Sequence, residues 1–158
     1  MQLDKLDRAI LHELQLDGRL SNVDLAERVN LSPSACLRRV RALEDSGVIS
    51  GYATLIDQTL IGYPSNVFVQ ITLHGQQSEA LKRFEDAVTD IPEVMACYLM
   101  TGEYDYLLRV VASDAADFER IHTESLTRLP GVARIHTSFS LRAVTKKSEL
   151  PVRDRAAI

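Results

Sequence analysis

Cysteine is scarce. Cys36 and Cys97 are the only two in 158 residues, and they fall far apart, in different predicted units. A reduced, cytoplasmic protein is the simplest reading. No apolar run approaches the ~20 residues that a membrane helix needs. The start, Met1-Gln-Leu-Asp-Lys-Leu-Asp7, has neither the basic n-region nor the apolar core of a signal peptide. The histidines His12, His74, His122 and His136 lack metal-ligand spacing and have no cysteine cluster near them, so neither a metal nor another cofactor is expected. Nucleophilic chemistry has only Cys97, His136 and Asp105 to draw on, and nothing local groups them, so an enzyme is not expected. Internal repeats and low-complexity segments are missing too. What remains is a globular composition, 46% apolar and 25% charged.

The net charge of -4 argues weakly against a nucleic-acid partner, but its distribution matters more. Arg28, Arg38, Arg39 and Arg41 lie in a stretch, 28–43, that holds no acid. Leu31-Ser-Pro-Ser-Ala-Cys-Leu-Arg-Arg-Val-Arg-Ala-Leu-Glu-Asp-Ser-Gly47 reads as a sharply bounded helix. Ser32 is the N-cap, Pro33 the first helical residue and Gly47 the left-handed stop. Cys36, Leu37, Val40, Leu43 and Glu44 share one side; Ser34, Ala35, Arg38 and Ala42 share the other. Small residues and an arginine on the exposed N-terminal half suit a DNA major groove. Two helices precede it. One runs from Asp4 to Asp17 on Leu6, Ile10 and Leu14. The other lies within Leu20–Asn30, capped by Ser21. Three helices on short turns, the last one basic, make a helix-turn-helix unit.

A strand is expected over Tyr52–Ile56, closing a first domain at residue 57, and 58–65 reads as a linker. Beyond it the periodicity predicts a strand over 66–73, a helix capped by Ser78, strands over 94–101 and 105–112, a helix over 114–128 and a strand over 132–142. This βαββαβ order is the ferredoxin-like arrangement, filling 66–145, and 146–158 is a polar tail with a short extra strand near Leu150. The fold class is therefore α+β. Two helices cover one face of a four-stranded sheet, yet the second and third strands are apolar on both faces, with Cys97 pointing to the second face. Such a bare face predicts sheet-to-sheet dimerisation with two-fold symmetry.

Several segments together resemble the Lrp/AsnC (leucine-responsive regulatory protein and asparagine-operon regulator, feast/famine) family. They are Asp17-Gly-Arg-Leu-Ser-Asn-Val-Asp-Leu-Ala-Glu-Arg-Val29, Leu31–Glu44, Gly51-Tyr52, Gly102-Glu-Tyr-Asp-Tyr-Leu-Leu108 and Leu129-Pro-Gly-Val132. The order and spacing of the set is specific where each match alone is weak. One departure is Ala35, where many members carry proline. The resemblance implies a winged helix-turn-helix domain and an amino-acid-sensing domain. It also implies a homodimer that assembles further, to octamers or related discs, and a DNA operator as partner.

On that basis Ser34, Ala35 and Arg38 face base edges, Arg39 and Arg41 meet phosphates, Arg28 is a weaker phosphate contact, and Ser32 donates to phosphate at the helix N-terminus. For Arg39 the alternative is an ion pair within the domain, with Glu27 or Asp45. The effector loop is Gly102-Glu103-Tyr104-Asp105. Glu103 or Asp105 would receive the ammonium, and the glycine turn would offer N–H groups to the carboxylate. The resemblance adds Tyr98, Met100, Thr101, His136, Thr137 and Ser138. Leucine or another hydrophobic amino acid is the first expectation for the effector. The alternative is an architectural DNA-binding protein with no small-molecule effector.

Overall fold

A computed structural model describes residues 2–152. The described residues up to Leu55 and from Val144 onward form one compact unit, and Ile56–Ala143 form the other.

In the first unit, α1 (Lys5–Leu16), α2 (Asn22–Arg28) and α3 (Pro33–Asp45) close around Ile10, Leu11, Leu25, Ala26, Val29, Cys36 and Leu43. Each start is set by a cap. Asp4 accepts from the Asp7 N–H while Asp7 accepts from the Asp4 N–H, a reciprocal box at α1. Ser21 accepts from Asp24 N–H at α2, and Ser32 from Ala35 N–H at 3.3 Å at α3, where Pro33 follows as expected. The turn between α2 and α3 depends on Asn30, the one described non-glycine residue with positive φ (54°). It lets Leu31 N–H reach Ala26 O and Asn30 N–H reach Glu27 O, so two carbonyls at the end of α2 are satisfied. That turn fixes the angle at which α3 leaves α2. Cys36 and Leu43 are fully buried, Val40 is half-buried, and Leu37 and Glu44 are exposed.

The strand expected over Tyr52–Ile56 does not form. No neighbouring strand offers it hydrogen bonds, and Leu55 and Ile56 are 79% and 61% exposed. The expected linker is folded locally instead: Asp57 Oδ1 accepts from Thr59 and Leu60 N–H, and Tyr63 N–H donates to Gln58 O at 2.9 Å. The C-terminal segment is not a free tail. Leu150 N–H donates to Gln15 Oε1 and Gln15 Nε2 donates to Leu150 O, so it belongs to the first unit, and no strand forms near Leu150. The part of the tail beyond Val152 lies outside the described residues.

The second unit runs β1 (Ser65–Leu73), α4 (Ser78–Thr89), β2 (Val94–Leu99), β3 (Tyr106–Ala112), α5 (Ala115–Glu124), a 3-10 turn (Leu126–Arg128) and β4 (Val132–Phe139). The antiparallel sheet has the order β2-β3-β1-β4, the ferredoxin-like arrangement expected. Gln77, not Ser78, is the N-cap of α4, with no side-chain cap bond. Val67, Val69, Ile71, Tyr106, Leu108 and Val110 face the helices and pack on Phe84, Val88, Phe118, Ile121 and Leu126. Phe84 stacks on Tyr106 with ring centroids 4.4 Å apart.

A bulge between Val94 and Ala96 shifts the alternation of β2. Val94 and Cys97 consequently both pack on the helix-covered core, so Cys97 does not point to the open face as strict alternation predicts. The open face carries Asn66, Phe68, Gln70 and Thr72 from β1, Leu107, Arg109 and Val111 from β3, Ala96 and Tyr98 from β2, and Arg134, His136 and Ser138 from β4. It is apolar at its β3 side and polar along β4.

Candidate functional site

The first candidate site is the exposed side of α3. Ser34, Arg38 and Arg41 are exposed and Ala35 is half-exposed. Among the described residues no carboxylate pairs with Arg38 or Arg41. The opening turn of the helix is pinned: Asn22 Nδ2 donates to Pro33 O at 2.8 Å, and the Ser32 and Ser34 hydroxyls lie 3.3 Å apart. On one capped helix, two exposed guanidinium groups with no carboxylate partner among the described residues can meet a base edge and a phosphate.

The other two arginines are engaged inside the unit. Arg39 donates to Asp4 Oδ2 at 2.8 Å and to Asp7 Oδ1 at 2.7 Å. Its guanidinium is held above its ordinary pKa by those hydrogen bonds, Asp7 first. The Asp4 carboxyl is held below the usual range, mainly by the Asp7 N–H and further by Arg39. Asp7 is buried, so Arg39 neutralises a charge at the junction of α1 and α3. The phosphate role expected of Arg39 is thereby displaced by the intradomain alternative, with Asp4 and Asp7 as partners instead of Glu27 or Asp45. The sequence signal was the 4/7 pair of carboxylates at the start of α1. Arg28 donates to Glu13 at 3.1 Å from a half-exposed position.

The second candidate site is a cleft of about 320 Å³ in the second unit, lined by Gln70, Thr72, Glu103, Tyr104, Arg134, Ile135 and His136. Antiparallel register builds it. Gln70 pairs with His136 and Thr72 with Arg134, which puts all four on the open face. Gly102 (φ 118°) lets the turn bring Glu103 and Tyr104 to the same opening. Arg134 supplies a cation and Glu103 an anion, the two charges that complement a zwitterion. Of the residues expected from the sequence, the structure places Glu103, Tyr104 and His136 at this cleft; Gln70, Thr72, Arg134 and Ile135 line it too and were not among them, because their place depends on the β1–β4 register.

The remaining expected residues do not line this cleft. Asp105 is buried, and its carboxylate accepts from Leu73 N–H at 2.7 Å and from Gln76 Nε2 at 2.6 Å. Its backbone also closes the turn, donating to Ile71 O and accepting from Met100 N–H. Asp105 therefore holds the loop in place and is not available to an ammonium group. Tyr98 sits on β2, at the opposite edge of the sheet from β4, and Met100, Thr101 and Gly102 form the far side of the turn. Thr137 points to the helix-covered face, and Ser138 lies one pair beyond His136, opposite Phe68.

Neither thiol is poised to react. Burial and the Glu85 carboxylate push Cys97 up to about 11, and burial raises Cys36. Cys97, Asp105 and His136 stand on different faces or are already bonded, so they make no catalytic group. Among the described residues no cluster of three His, Cys, Asp or Glu side chains is placed to hold a metal ion.

Comparison with known proteins assigns the two units to domain families. Residues 66–150 match the Lrp/AsnC ligand binding domain, and residues 3–50 match a winged helix-turn-helix DNA-binding domain. The chain is 44% identical over 151 residues to the Bkd operon transcriptional regulator of Pseudomonas aeruginosa, covering 96% of this chain and 99% of that protein. It is 40% identical over 153 residues to the leucine-responsive regulatory protein of Escherichia coli, covering 97% and 93%. A transcriptional regulator from Neisseria meningitidis, solved in complex with L-methionine, superposes with a TM-score of 0.90 at 38% identity, covering 95% of this chain and 97% of that one. These relatives are transcriptional regulators, not enzymes. The chain belongs to the Lrp/AsnC family of transcriptional regulators, with a DNA-binding helix-turn-helix unit joined to an amino-acid-binding domain.

Proposed function

We propose that α3 reads an operator and that the sheet cleft takes the free amino acid that modulates this reading. Ser34, Ala35 and Arg38 meet base edges, Arg41 meets phosphate, and Ser32 adds a contact at the helix N-terminus. Arg28 reaches phosphate only by leaving Glu13. Arg134 receives the effector carboxylate and Glu103 its ammonium, with Tyr104, Gln70, Thr72 and His136 around the remainder. The observation that carries this reading is the pair of arginines on a capped helix that meet no carboxylate among the described residues, in a chain whose second unit holds a cleft with one cation and one anion. A hydrophobic amino acid remains the first candidate effector, because one relative is named for leucine and another was solved with methionine. A dimer formed through the open sheet faces, assembling to an octamer in the cytoplasm, completes the reading.

The test is a fluorescence-anisotropy titration on the DNA upstream of the protein's own gene, repeated with each of the twenty amino acids. Specific binding that shifts with at least one amino acid is expected. Binding that no amino acid alters leaves the architectural role; no binding at low salt removes the operator claim.

A further inference from the structure

The first unit matches a winged helix-turn-helix domain, yet the chain after its reading helix has nothing to offer a DNA backbone. Between Arg41 and Lys82 it holds no lysine or arginine, and no hairpin forms among the described residues between α3 and β1. The C-terminal segment brings two cations instead. From Val144 onward it belongs to this same unit. Its Lys146 and Lys147 are exposed, and among the described residues no carboxylate pairs with either. Residues 144–152 contain a single acid, Glu149.

Contacts within the unit fix where these lysines stand. Gln15 accepts from the Leu150 N–H at 2.6 Å and donates to the Leu150 carbonyl at 3.2 Å, and Val152 packs on the core that holds Cys36 and Leu43 of α3. Ser148 shares a cavity of about 430 Å³ with Val48–Tyr52, the stretch that follows α3. The Tyr52 hydroxyl donates to Glu44 at 2.9 Å, and Glu44 lies one turn beyond Arg41 on the same side of the helix. Lys147 adjoins Ser148, so this run of contacts puts the two lysines past the C-terminal end of α3, on the side that carries Arg41.

We propose that the C-terminal segment does the work of the wing: Lys146 and Lys147 meet DNA phosphates beside the stretch of groove that α3 reads. The claim rests on the operator reading given above. Phosphate is the partner these groups fit. An ammonium on a long flexible stem acts as a point charge, and backbone contacts add affinity and orientation without reading sequence. The anchored main chain behind the lysines keeps both charges at the duplex, which a free tail would not do.

The test uses the full-length protein and two duplexes, the DNA upstream of its own gene and a random sequence of equal length. Affinity is followed by fluorescence anisotropy from about 50 to 200 mM salt. The double variant Lys146→Gln, Lys147→Gln should lower the salt slope by about 0.9 per lysine on both duplexes, so that across this range it loses roughly tenfold less affinity than the wild type. Its melting temperature should be unchanged, because Gln15 holds the segment by the backbone of Leu150. Lys146→Arg, Lys147→Arg should restore the wild-type slope, since the charge is kept. A control, Lys82→Gln, Arg83→Gln, removes two exposed charges from α4 in the second unit and should leave the slope as it is. Equal slopes for wild type and the Lys146/Lys147 glutamine variant overturn the contact while the operator reading stands. An equal drop in the control also overturns it, because net charge alone would then account for the effect. A wild type that binds neither duplex at low salt overturns the operator reading and this contact together.

Discussion

Arg38 and Arg39 are neighbours in sequence, but ~100° of helix rotation separates their directions and therefore their tasks. Arg38 leaves the helix on the exposed side beside Ser34 and meets no carboxylate among the described residues, whereas Arg39 turns back onto Asp4 and Asp7. Arg38→Ala should relax operator specificity, because a bidentate base contact discriminates by ~1–3 kcal/mol. Arg41→Ala should weaken cognate and random DNA alike and lower the salt slope by about 0.9 per lost phosphate contact. Titrations on both DNAs across salt concentrations separate the two; equal behaviour of the variants would end the division of labour. Arg39→Ala should act on stability instead. It strips a hydrogen-bond partner from the buried Asp7 carboxylate, which costs about 1–3 kcal/mol, and thermal unfolding of the helical unit reads this out. The pH dependence has a definite sign. Asp4 has a depressed pKa in the folded state, so its contribution is full above the unfolded value, about 3.9, and is lost as pH falls through the lower folded value. Stability of this unit followed by circular dichroism from pH 6 to 2 should fall only in that acidic window.

At the scale of elements, caps and periodicity were legible while register was not. Ser21, Ser32, Pro33 and Gly47 announce their helix ends because a cap acts within three or four residues of sequence. The cleft was half legible for the opposite reason. Glu103 and Tyr104 share one local turn, and His136 was expected only from the family resemblance, whereas Gln70, Thr72 and Arg134 come to the cleft through a pairing of β1 with β4 more than 60 residues away, and nothing local fixes that register. The bulge at Val94–Ala96 is likewise invisible to alternation and moves Cys97 to the core. Asp105 shows a third kind of miss. Its side chain looked like a ligand acceptor from its place in an acidic turn, but the adjoining strand end left the Leu73 N–H in need of a partner, and Asp105 supplies it. Asp105→Asn should therefore loosen the loop by presenting an amide to two donors. A cost of about 1–3 kcal/mol to the sensing unit is expected, together with faster exchange of the Leu73 amide. An unchanged melting temperature and unchanged exchange would show that the loop is held by other means.

For the whole molecule, the proposed dimer contact falls on the open sheet face. Its composition is less uniform than the sequence suggests: Arg109 interrupts Leu107 and Val111, and Gln70, Thr72, Arg134 and His136 make one side polar. Phe68 stands on an inner strand of that face at 39% exposure, flanked diagonally by Leu107 and Val111, and Tyr98 is 58% exposed toward the β2 edge. The face therefore divides into an apolar portion fit for a second copy and a polar portion that holds the cleft proposed for the effector. A two-fold contact through the apolar portion would cover Phe68 and leave the cleft at its margin, where a further copy could reach it. Phe68→Asp places a charge at the centre of the predicted contact, and at this degree of exposure the fold itself tolerates the change. Sedimentation velocity at micromolar concentration should show the wild type as a dimer or larger and Phe68→Asp shifted to the monomer, with native circular dichroism. The same variant should lose operator affinity, because two half-sites are no longer held together and their effective concentration falls. A monomeric wild type, or a Phe68→Asp variant that still dimerises, would move the contact to another surface.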